Sequence, residues 1–152
     1  MLFDRLGRGE LVAVAGGLLL AVCLFLPWYG TDPDNPNATI DGATGGVSGW
    51  EVHQILRWLL LATAAAPFIL VWIVIREHEL SWPRGELTAV AAIAAFGLVA
   101  YVGFLDRPGR PGGAISLQAG YFGALLGTIL MIAGGAMSAA QTERQRKPPG
   151  VL

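Results

Sequence analysis

The side chains that could do chemistry gather in one stretch of this chain. His53 stands four residues ahead of Arg57, so on a helix the two share a face. Glu51 lies just before them, Asp41 in the polar loop ahead of it, and Asp106 closes a later apolar block. Glu51, His53, Arg57, Asp41 and Asp106 are therefore the candidate ligand-binding residues, a polar cup at the mouth of a pocket. Arg57 is the most informative of them. A charge at the centre of a spanning segment costs about 2.5–3.5 kcal/mol on insertion scales, so an arginine there needs a reason. Two reasons are open. It can pair with Glu51, Asp41 or Asp106. It can also snorkel toward its helix N-terminus, with its stem in lipid and its head among phosphates. His78, between Glu77 and Glu79, reads as a solvated residue of a charged link.

Other chemistries lack their residues. Asp32-x-Asp34-x-Pro36 does not continue into the ligand spacing of a calcium loop, and turn-forming Asp explains it without a metal. Cys23 is the sole cysteine, so there is no internal disulfide, redox pair or thiolate cage, and it reads as a small buried apolar residue. No Ser/His/Asp set, HExxH or Gly-rich phosphate loop occurs, and no acid lies deep in an apolar block to serve a proton relay. The expectation is a protein without enzymatic activity, metal or cofactor. A net charge of −1 gives no bulk field for nucleic acid.

The elements that must position these residues are apolar blocks. The 152 residues are 54% hydrophobic and 14% charged, against about 25% charged in soluble domains. The deficit falls in four blocks and predicts helices at about 11–28, 51–75, 87–105 and 117–140, each long enough to cross a bilayer. The expected fold is an all-α integral membrane protein: a four-helix transmembrane bundle in one domain, 1–152, capped by the external loop 29–50, with a cytoplasmic tail 141–152 whose end is disordered. Pro67 is expected to kink the second helix, with the Thr63 hydroxyl helping to satisfy the freed groups. Trp28, Tyr29 and Trp50 bracket the loop and are expected to pack it down as a cap, while Trp82 marks the other surface. Gly123 and Gly127, continued by Met131 and Gly135, form a small-residue stripe. It serves helix packing within the bundle or, alternatively, a homo-oligomer.

Charge sets the orientation. With both termini cytoplasmic, Arg5, Arg8, Arg76, Arg84, Arg144, Arg146 and Lys147 lie inside, and Arg57, Arg107 and Arg110 lie outside. The expected location is the plasma membrane, multi-pass.

Leu26-Pro27-Trp28-Tyr29, then a polar loop, Ser48-Gly49-Trp50-Glu51, and a Pro/Gly/Arg link before Gly120-Tyr121 together resemble small four-span membrane proteins common in actinobacterial genomes. The resemblance covers nearly the whole chain and implies a bacterial plasma membrane and a four-span topology, without an activity. The leading functional expectation is a non-enzymatic structural or interaction component of the cell envelope, docking a membrane or envelope protein through the loop. The alternative is a small-molecule or lipid-binding transporter or sensor with its pocket mouth at His53 and Arg57.

Overall fold

A proline decides where the first helix stops. The computed structural model describes residues 6–78, 81–146 and 150, and of Arg146 the backbone alone. Arg5, Glu79 and Lys147, used above in reading charge, lie outside the described residues, as does the end of the tail. Helix α1 spans Arg8–Leu24 and closes at Phe25. Pro27 disfavours helical backbone at Leu26, so the chain turns extended two residues before Trp28. The expected helix to residue 28 is thus shorter, and Pro27–Thr31 forms strand β1 instead.

The link 29–50 is not a loop alone. Its far end, Gly46–Ser48, is strand β2, and β2 pairs antiparallel with β1. A third strand, β3 (Ile115–Leu117), comes from the link that follows the third apolar block and pairs with the other edge of β1. The sheet order is β2-β1-β3. The molecule is mostly helical but not all-α. Between β1 and β2, Asp41 and Gly42 both take positive φ while Ile40 and Ala43 exchange two backbone hydrogen bonds. This is the Asp-Gly signature of a tight two-residue hairpin turn.

The second predicted helix is broken. A single turn, α2 (Gly49–Val52), ends at His53, and α3 runs from Leu56 to Ile75. The single turn starts from a local device. Ser48 Oγ accepts from the Glu51 amide, and the Glu51 carboxylate accepts from the Ser48 amide and hydroxyl, a closed capping box. Helix α3 continues through Pro67. The Thr63 hydroxyl donates to Leu59 O, inside its own turn rather than toward the carbonyl that Pro67 leaves free.

Helix α4 (Glu86–Ala100) passes into a π turn, Tyr101–Leu105. Helix α5 runs from Ala119 to Arg146, past the expected end at 140. The extension is built of good helix formers, and Thr142 Oγ1 donates back to Ser138 O. Among the described residues, three segments are long and apolar enough to cross a membrane: Leu56–Ile75, Glu86–Leu105 and Ala119–Gln145. The four expected spans are therefore three by length and composition, because α1, at 17 residues, is shorter than each of these segments.

The packing is inverted relative to a soluble core. Helix α4 buries Thr88, Ala92, Ala95 and Val99 and exposes Leu87, Val90 and Ile93. Small residues meet inside, where backbones approach closely, and large apolar ones face outward. Helices α1 and α5 form the most extensive pair. A Cβ on Gly16 would stand 2.6 Å from Gly127 O, and one on Gly9 2.7 Å from Gly134 O. The bundle closes in the order α1, α5, α4, α3, and the seam between α3 and α4 is its weakest contact among neighbouring helices.

Candidate functional site

Cap and bundle meet at an aromatic layer. Trp28 and Tyr29, adjacent on β1, are both fully buried. A buried indole or phenol needs a partner for its polar atom. Trp28 Nε1 donates to Cys23 O at 2.8 Å, a carbonyl at the end of α1. Tyr29 Oη donates to Val102 O at 3.2 Å and lies 2.9 Å from His53 Nε2. A phenol carries one proton. With that proton directed to Val102 O, Tyr29 Oη is left to accept, and a His53 Nε2–H is the matching donor.

Val102 O lies in the last turn of the helix, which closes with a π turn, and carbonyls there have no helical partner. Widening the helix to i→i+5 bonding leaves carbonyls outside the regular ladder. Three are met by side chains from elsewhere. Tyr121 Oη donates to Val99 O at 2.9 Å, Tyr29 to Val102 O, and Arg107 Nε to Gly103 O at 3.1 Å. Arg107 also donates to Ile115 O at 2.6 Å, tying the turn to β3. Gly103 is required here, because a Cβ would stand 2.1 Å from the Tyr121 ring. Tyr121 in turn meets Trp28 edge-on, with centroids 5.7 Å apart.

Electrostatics follow the burial. Desolvation holds the His53 pKa below its ordinary value, although Asp106 and Asp41 pull the other way. Burial also raises the Tyr29 phenol far above its usual range, with Tyr121 and Asp106 adding to the rise against Arg107. Glu51 is lowered by the Ser48 amide and hydroxyl that cap it. A neutral histidine bonded to a phenol that keeps its proton holds a layer together and is poorly placed for proton transfer.

The expected cup is only partly assembled. Arg57 Nη1 donates to Trp50 O at 3.2 Å, and its guanidinium lies 4.9 Å from the Trp50 ring and 5.6 Å from the Trp58 ring. Two aromatic faces, rather than the expected carboxylates, receive the cation. Its Nε is buried and makes no hydrogen bond. Glu51 is engaged in the capping box, Asp41 holds the hairpin turn, and Asp106 ends the π turn, exposed. Trp50 stacks between Phe25 and Trp58. Asp32 accepts from the Asp34 amide in a local turn. Among the described residues no group of three or more His, Cys, Asp or Glu is placed to hold a metal ion.

Gly123 and Gly127 face α1 of the same chain, against Cys23 Sγ and Leu20 N, and Gly135 faces α4 against Gly85 O. Sequence reasoning missed Tyr121, Gly103 and Arg107 as site residues, along with two local signals, Ser48-x-x-Glu51 and Asp41-Gly42. Comparisons with protein-family models, with curated proteins and with solved structures returned no match.

Proposed function

We propose that this chain is a non-enzymatic, four-span plasma-membrane protein of a bacterial envelope, with both termini cytoplasmic and the β2-β1-β3 cap outside as a docking surface for an envelope or membrane protein. The fourth crossing is α1. Its backbone lies against α5 from Gly9 and Gly134, through Gly16 and Gly127, to Cys23 and Gly123, so it travels the bilayer with a helix long enough to span. Arg8, Arg76, Arg84 and Arg144 then fall on the side that retains positive charge.

The observation that carries the docking role is the sheet. Joining helices needs only a few turn residues. Here two links far apart in sequence are paired through β1, with a further bridge between Thr39 and Arg110. That fixes the acidic tip bearing Asp32 and Asp34 in one shape, which suits recognition. The test is crosslinking in native membranes, comparing the wild type with Asp32→Lys/Asp34→Lys. A crosslinked protein lost in the variant is the expected result. An unchanged crosslinking pattern, or none, contradicts the docking role.

One observation favours a second reading, a ligand-binding sensor or transporter: the buried, unbonded Nε of Arg57. A melting shift with a lipid or metabolite panel, lost in Arg57→Ala, would support it; no shift from any compound would dismiss it.

A further inference from the structure

The end of the bundle away from the cap holds a small polar cavity of about 230 Å³. Glu10 comes to it from the first turn of α1, Arg84 from the link before α4, and Ser138, Gln141, Thr142 and Gln145 from α5. The four α5 residues fall at i, i+3, i+4 and i+7, which is one face of a helix. Close backbone approach fixes these parts against one another. A Cβ on Gly9 would stand 2.7 Å from Ser138 N, and one on Gly85 2.6 Å from Ser138 Cβ. Gly85 has φ +85°, which glycine adopts without strain, so the link can pass over α5 and carry Arg84 to the cavity.

Two polar side chains of the lining are almost fully buried. Glu10 is 5% exposed, and its Oε2 accepts from the Gly7 amide, which leaves Oε1 for the cavity. Ser138 is 3% exposed, and its Oγ is buried with no hydrogen-bond partner. A buried hydroxyl left unbonded is costly, so this one calls for a polar atom beside it. Arg84, Gln141 and Gln145 are exposed and form the rim. Glu10 and Arg84 line the same cavity, yet among the described residues no hydrogen bond or ion pair joins them.

The opposite charges select the occupant. A simple cation would be attracted by Glu10 and repelled by Arg84, and a simple anion the reverse. An apolar molecule would leave the carboxylate and the hydroxyl buried without partners. A molecule carrying both signs satisfies both ends. Drug-sized ligands take about 300–1,000 Å³, so the volume here restricts the occupant to a smaller molecule. We propose that this cavity binds a small α-amino acid as its zwitterion, the ammonium held by Glu10 and Ser138 and the carboxylate by Arg84 and the rim amides. The site is separate from the cap and from Arg57, and it stands whether or not the cap has a partner.

The test reads the melting temperature of the full chain in detergent. The probes, each at about 10 mM, are L-alanine, N-acetyl-L-alanine (no ammonium), L-alaninamide (no carboxylate) and glucose. L-Alanine is expected to raise the melting temperature by about 3 °C, and each of the others by less than about 1 °C. Glu10→Gln, which keeps a side chain able to cap α1, and Arg84→Gln, at an exposed position, are each expected to abolish the L-alanine shift. Arg76→Gln, outside the cavity, is expected to keep it. Should Glu10→Gln fail to fold, Arg84→Gln still decides. A shift from N-acetyl-L-alanine or L-alaninamide as large as that from L-alanine marks a site for a single charge and overturns the proposal. A shift from glucose alone overturns it in favour of a polyol. No shift from any probe, or an L-alanine shift that persists in either cavity variant, overturns it as well.

Discussion

At the residue scale, His53 and Arg57 show how burial changes what a charged group can be. Burial favours the neutral form of His53, whose Nε2 lies 2.9 Å from Tyr29 Oη and whose ring lies 5.9 Å from Trp28. A histidine whose folded pKa lies below its unfolded value binds fewer protons folded than unfolded in the window between the two. Its contribution to stability is present above the ordinary value near 6.5 and is lost as pH falls through the lowered one. The melting temperature in detergent should therefore drop as pH is taken below 6.5, and His53→Gln should flatten that drop. A wild-type curve level across the same range would contradict the assignment. Arg57 was legible as an anomaly, a cation inside an apolar block. Its partners were not legible, because charge arithmetic ranks carboxylates first while a weakly hydrated guanidinium also sits well on indole faces. Trp58 is the next residue, and Trp50 stands seven residues earlier.

At the element scale, hydrophobic blocks locate helices and say little about where they end. Helix α1 stops early because Pro27 acts on Leu26. The second block opens on a separate single turn, started by the Ser48–Glu51 capping box and ended at His53. Both signals were present, but each is a local pattern outside the block itself. The strands were not legible, since they are three to five residues long and their partners lie far apart: Ser116 Oγ reaches Gly30 O across 86 positions. The glycine stripe was legible, and its use within the bundle can be tested by contrast. A methyl on Gly16 meets the backbone of Gly127 and Met131, which has no room to yield, whereas Gly97 has open space around it. Gly16→Ala is expected to destabilise by about 1–3 kcal/mol, and Gly97→Ala to be neutral or stabilising by up to about 1 kcal/mol. Comparable losses in thermal denaturation of the two variants would show that α1 and α5 do not meet as closely as their glycines allow.

At the scale of the whole molecule, the bundle and the cap are held by different means. The bundle brings small residues of α1, α4 and α5 together inside, beside Leu20, Leu24, Leu60 and Met131, and leaves many large apolar side chains outside, as suits a lipid surrounding. The cap is held by buried aromatic side chains that bond carbonyls released by the π turn, with Arg107 joining that turn to β3. One end of the molecule is thereby fixed in shape, while along the bundle the seam between α3 and α4 is the least extensive contact of neighbouring helices.

The central claim is that both links at the cap end leave the membrane on the same outer side and fold there as one unit. Thr39 and Arg110 exchange two backbone hydrogen bonds, which places their Cα atoms about 5.5 Å apart, within reach of a disulfide. The measurement is made in intact expressing cells on the Thr39→Cys/Arg110→Cys protein with Cys23→Ala. Under reducing conditions, an impermeant maleimide should label it from outside. After mild oxidation that labelling should disappear as an internal disulfide forms. Labelling only after the membrane is opened, or cysteines that remain free under oxidation, would contradict the account.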